Sequence, residues 1–102
     1  MILTTTNSIE GFKIIDYKGI VTGVAVNRKQ TGMSFSMTKY YDSLESNIEE
    51  IKEVGFQKLK DNAKKLNANA VVGINVDIET FATSGILMIS VTGTAVHVVS
   101  EK

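Results

Sequence analysis

The stretch Asn67-Ala68-Asn69-Ala70-Val71-Val72-Gly73-Ile74-Asn75-Val76-Asp77-Ile78-Glu79 most constrains the fold. Upstream of it, apolar residues recur at helical spacing. Within it, Val72, Ile74, Val76 and Ile78 alternate with Gly73, Asn75, Asp77 and Glu79, the period-2 pattern of a strand with one buried face. Between the two, Asn67 or Asn69 can take the left-handed backbone that ends a helix. A chain that changes period so abruptly must pack a helix against a sheet.

The helix is expected from about Leu44 to Leu66. Ser46 with Glu49 fits a capping box. Asp42, Glu45, Glu49 and Glu50 come early and Lys58, Lys60, Lys64 and Lys65 late, as the helix dipole favours. Ile48, Ile51, Leu59, Ala63 and Leu66 step by about one turn, with Gly55 filling a gap in the row. A glycine inside a helix costs ~1 kcal/mol relative to Ala, so close packing against Gly55 is expected as compensation.

On either side of the helix the chain is β-prone. Residues 1–6 form a short start, and residues 7–11 are turn material. Phe12 to Val26 reads as one long kinked strand or two collinear ones, interrupted at Gly19 and Gly23. After the connection Thr80–Gly85, Ile86 to Val99 is a second long strand, apolar on both faces at its start. Ser90, Thr92, Thr94, Val96 and Val98 share one face, and Val91, Gly93, Ala95 and His97 share the other. The order β-α-β-β predicts an α+β fold, one long helix on a mostly antiparallel sheet. With 102 residues, no repeat and no linker, a single domain over residues 1–102 is expected. The absence of Pro leaves nothing to interrupt the strands.

Composition narrows the functional classes. Eleven basic and eleven acidic residues give zero formal charge, which argues against nucleic acid or an anionic membrane as partner. No Cys means no disulfide, thiolate chemistry or Cys-rich metal site. There is no signal-like N-terminus and no membrane-length apolar run, so a cytoplasmic protein is expected. A hydrophobic content of 43% is high for so small a chain. Part of that surface is expected to lie against a partner chain.

Four ordered blocks resemble a known family: Met1-Ile2-Leu3-Thr4-Thr5-Thr6, Ile14-Ile15-Asp16-Tyr17-Lys18-Gly19-Ile20-Val21-Thr22-Gly23, Leu66-Asn67-Ala68-Asn69-Ala70-Val71-Val72-Gly73, and Gly93-Thr94-Ala95-Val96. They are similar to the YbjQ-like family, also called UPF0145 and labelled for heavy-metal binding. The resemblance implies a small α+β protein with a dodecin-subunit-like topology that assembles into a homopentameric ring, without established enzymatic activity. The chain departs from the family pattern in the middle. Many relatives carry an acidic residue soon after the second glycine of the first long strand, then a segment rich in Arg, Asp and Gly. Here Val24 follows Gly23, and residues 27–43 are rich in Met, Ser, Thr and Tyr. No functional residue is carried over from that segment.

Candidate chemistry is sparse. A soft-metal site needs Cys, His or Met ligands. The chain offers one His, and Met1, Met33, Met37 and Met88 form no motif. Met33 and Met37 are better explained as packing, and Tyr40 and Tyr41 as core or interface aromatics. In a ring, one residue per subunit becomes a ring of ligands, so His97 or Asp77 is a candidate for joint ion binding. The simpler explanation of His97 is a hydrogen-bonded strand-end histidine. Asp77 and Glu79, about 7 Å apart along one strand face, are candidates for a hard cation. Their simpler explanation is a solvated polar face. The Ser90, Thr92 and Thr94 row suits either a hydroxyl-lined channel or ordinary cross-strand pairing. No nucleophile elbow, phosphate loop or dinucleotide fingerprint occurs. The expectation is a non-enzymatic assembly or ligand-binding module that binds itself, with a metal ion or small ligand between subunits as the alternative role.

Overall fold

The structure is a computed structural model that describes residues 1–28, 37–81 and 86–101, with side chains described outside residues 27–28 and 37–47. The elements run β1 (Ile2–Leu3), β2 (Phe12–Arg28), α1 (Met37–Lys65), β3 (Ala70–Phe81) and β4 (Ile86–Ser100). They form one helix on a four-stranded sheet ordered β1-β3-β4-β2. The β2–β4 and β3–β4 pairs are antiparallel, whereas β1 pairs with β3 in parallel. The sheet is therefore mixed, and the short N-terminal start is a strand in its own right.

The helix begins seven residues before the expected Leu44. Ser46 thus lies inside α1 and is no N-cap, and the first turn holds no acidic residue. The expected acids sit in the second turn and beyond, where an N-terminal dipole acts weakly. The basic end is as expected, with Lys64 and Lys65 in the last turn. Met37, Tyr40 and Tyr41 fall in the helix backbone, but their side chains, together with residues 29–36 and so Met33, lie outside the described residues.

The helix stop is a Schellman motif. Asn67 takes φ +62°. Its N–H donates to the Lys64 carbonyl at 2.9 Å, and the Ala68 N–H donates to Ala63 at 3.1 Å. Asn69 has a different task. Its side-chain Nδ2 donates to the Val98 carbonyl at 2.9 Å, and its Oδ1 accepts from the Val98 N–H at 2.8 Å. This amide imitates a strand residue and extends the β3–β4 ladder past Ala70.

One face of the sheet carries the main core. Ile51, Gly55, Leu59 and Ala63, spaced by four, press against Val21, Ala25, Val71, Ile74, Leu87, Ile89, Val91 and Ala95. Leu66, expected in the same row, is exposed at the helix end. The contact at Gly55 is as tight as its position in a helix demands. A Cβ there would lie 3.3 Å from both Ile89 Cγ2 and Val91 Cγ2. On the opposite face, Ala70, Val72, Val96 and Val98 form a second buried cluster, covered by Ile2, Ile9 and Ile14.

Val72 and Ile74 therefore point to opposite faces, against the strict alternation expected of β3. The cause is a bulge. Val72 pairs with Thr94 and Asn75 with Thr92, so Gly73 and Ile74 together oppose Gly93. Gly73 takes φ +63°, the conformation that such a bulge requires of its first residue. Gly93 leaves room for the crowding: a Cβ there would sit 2.6 Å from Val71 Cγ1 and 3.0 Å from Ile74 Cγ1. β2 is a single strand with its own irregularities at Ile15 and Lys18. Gly19, with φ +131°, follows the second.

Candidate functional site

β2 spans roughly 56 Å at strand rise and α1 only about 43 Å at helical rise. The helix packs chiefly over β2 and β4. The sheet is consequently left partly bare, and the molecule extends 58 × 21 × 15 Å with a radius of gyration of 17.0 Å. A compact chain of this length has a radius near ~13 Å.

The bare area is built row by row on the face away from α1. Beyond the set Val72–Thr94–Ile20, whose Val72 is buried, Asn75–Thr92–Thr22, Asp77–Ser90–Val24 and Glu79–Met88–Val26 are the successive cross-strand sets over β3, β4 and β2. The β3 side is polar and acidic, the centre carries half-buried hydroxyls, and the β2 side is apolar. Ile20 is 77% exposed and Val26 53%. Beyond them along β2, Tyr17 is 70% exposed. On the helix side, Val76 and Ile78 of β3 are also exposed, and α1 packs far less on β3 than on β2 and β4.

Asp77 and Glu79 share this open face, as the sequence suggested. His97 does not join them. It alternates with Ala95 on the other face of β4, pairs with Asp16 of β2, and lies seven residues from Ser90, about 23 Å by strand rise. Within one subunit these three side chains cannot hold a common ion. Among the described residues no group of three or more His, Cys, Asp or Glu side chains converges. Asp16 already pairs with Lys18 at 3.0 Å.

Sequence reasoning missed three polar residues with specific partners. Besides Asn69, Lys58 Nζ donates to the Val24 carbonyl and Asn62 Nδ2 to the Thr22 carbonyl, each at 2.8 Å. Lys58 therefore does more than place positive charge late in the helix. The available signal was the four-residue spacing of Lys58 and Asn62 alongside the buried Leu59–Ala63 row. No helix among the described residues is long and apolar enough to cross a membrane.

A family model described as "Putative heavy-metal-binding" matches residues 1–99. The chain belongs to the YbjQ-like, or UPF0145, family. Members similar to it include a UPF0145 protein of Acetivibrio thermocellus, 35% identical over 103 residues, covering 94% of this chain and 97% of the relative. Another, from Clostridium kluyveri, is 37% identical over 105 residues, covering 96% and 99%. In fold, the chain is similar to a crystal structure from Pediococcus pentosaceus, a protein of unknown function in the DUF74 family. That match has a TM-score of 0.65 at 22% identity and covers 97% of this chain and 98% of the other. The family is uncharacterised, and its label is the sole pointer among these likenesses to a metal.

Proposed function

We propose that this single-domain chain, residues 1–102, is the subunit of a small cytoplasmic homo-oligomer that acts as a non-enzymatic assembly or ligand-binding module. The family resemblance implies a pentameric ring, with strands meeting between subunits and helices outside. The observation that carries the proposal is the exposed apolar row Tyr17, Ile20, Val24 and Val26 along β2, together with Val76 and Ile78 on the opposite face. An isolated soluble chain rarely leaves such connected apolar surface in water. Two different faces, one at each side of the sheet, suit the head-to-tail contacts from which closed rings are built. Sedimentation velocity at micromolar concentration tests the proposal: a single species of about five chains is expected, and a monomer rules it out.

A second role, metal binding between subunits, is favoured by the family's description. In a ring, His97, or Asp77 with Glu79, would recur once per subunit, which supplies the ligand number that one chain lacks. Elemental analysis of the purified protein and titration calorimetry with transition metals test it. Absence of bound metal, or a binding heat unchanged in both His97→Ala and Asp77→Asn, removes these residues as ligands.

A further inference from the structure

Among the described residues, the sheet order leaves β2 at an edge. The segment Ile20-Val21-Thr22-Gly23-Val24-Ala25-Val26 on that edge is uncharged and contains no Pro. The irregularities of β2 fall earlier, at Ile15 and Lys18, so residues 19–26 run in unbroken register against β4. A regular, apolar, uncharged seven-residue edge is a template for pairing with another chain, and the usual protections are a Pro, a charge on the strand, or a bulge. None is present in this segment. The helix supplies the missing protection from outside the strand. The near contact of Gly23 with α1 brings the helix to the edge: a Cβ on Gly23 would collide with the Gly55 carbonyl and stand 2.8 Å from the Leu59 amide nitrogen. From that distance, Lys58 and Asn62, one turn apart, reach the alternate carbonyls of Val24 and Thr22.

We infer that Lys58 and Asn62 guard the β2 edge: by donating to the Val24 and Thr22 carbonyls they close the middle of the strand to pairing with a β-strand of a second copy. Lys58 also places a charge over the segment, which a docking strand would have to desolvate. Carbonyls of the same strand edge are spaced two residues apart, and the two donors are spaced one helical turn apart, so one helix serves two consecutive edge acceptors.

The test is the double variant K58A/N62A, compared with the unmodified protein by sedimentation velocity and infrared spectroscopy. A several-fold rise in weight-average mass is expected, accompanied by the low-frequency amide band of intermolecular sheet. The conservative variant Lys58→Arg, which keeps a donor and a charge at that position, is expected to retain the mass of the unmodified protein. Should the double variant fail to fold, N62A alone carries the same two comparisons. An unchanged mass in the double variant overturns the inference, and so does an equal rise in Lys58→Arg.

Discussion

Gly23 of β2 and Gly55 of α1 face each other across the helix–sheet interface at a separation that leaves Gly23 no space for a side chain. A Cβ on Gly23 would meet the Gly55 carbonyl and the Leu59 amide nitrogen, both backbone atoms. A Cβ on Gly55 would instead meet two side-chain methyls, of Ile89 and Val91, at 3.3 Å. The two glycines are therefore unequal. Gly23→Ala must push the helix away and is expected to destabilise by about 3 kcal/mol, at the upper end of overpacking effects. Gly55→Ala gains ~1 kcal/mol of helix propensity against mild crowding and is expected to remain within about 1 kcal/mol of the unmodified protein. Urea midpoints at one fixed protein concentration compare the two; equal losses would contradict the geometry.

Asn69 supplies both a donor and an acceptor to Val98. Asn69→Ala leaves both backbone groups of Val98 without that partner and is expected to cost about 1–3 kcal/mol. Asn69→Asp keeps the acceptor, so the Val98 amide should stay protected from hydrogen exchange in that variant and lose protection in Asn69→Ala. Equal protection in the two would show that the amide does not hold the strand end.

Gly73 stands in left-handed backbone at the β3 bulge. Gly73→Val places a β-branched residue where L side chains are disfavoured by roughly 1–2 kcal/mol. Gly73→Asn, which tolerates that conformation better, is expected to lose less. Thermal melts should rank the unmodified protein above Gly73→Asn and Gly73→Asn above Gly73→Val.

Ile20 tests self-association without disturbing the core. It is 77% exposed in the single chain, so Ile20→Glu removes little packing there, and surface changes of this kind usually stay within about 0.5 kcal/mol. If the β2 row is an interface, Ile20→Glu should lower the sedimentation coefficient to that of a smaller species while the circular dichroism spectrum is retained. An unchanged coefficient would remove this row from the interface.

The sequence made some of this plain and hid the rest for identifiable reasons. The helix stop at Asn67, the tight packing at Gly55 and the long β2 and β4 strands follow from local chemistry: a residue tolerant of positive φ, a missing side chain in an apolar row, and runs of β-branched residues. The helix start was misplaced because Ser46 with Glu49 satisfies a capping pattern that also occurs inside helices. The β3 phase was misread because Gly73 looks, in sequence, like an ordinary outward-facing position. Its positive φ depends on Gly93 of β4, twenty residues away, which no local pattern reports. The partners of Lys58, Asn62 and Asn69 were hidden for the same reason, since each is a main-chain group distant in sequence. Of the candidate ligands, alternation correctly joined Asp77 to Glu79 on one face, and the pairing of His97 with Asp16 emerged only with the β2–β4 register.

The bulge at Gly73 also determines which face of the sheet carries the β3 carboxylates. Because one extra residue is absorbed opposite Gly93, Asn75, Asp77 and Glu79 emerge on the side away from the helix, and Val76 and Ile78 on the side toward it. Straightening the bulge while keeping all its residues would exchange the two sets along the rest of β3. The carboxylates would then turn toward the helix side and the aliphatic side chains outward, so which face of the sheet carries Asp77 and Glu79 rests on the left-handed backbone of one uncharged glycine.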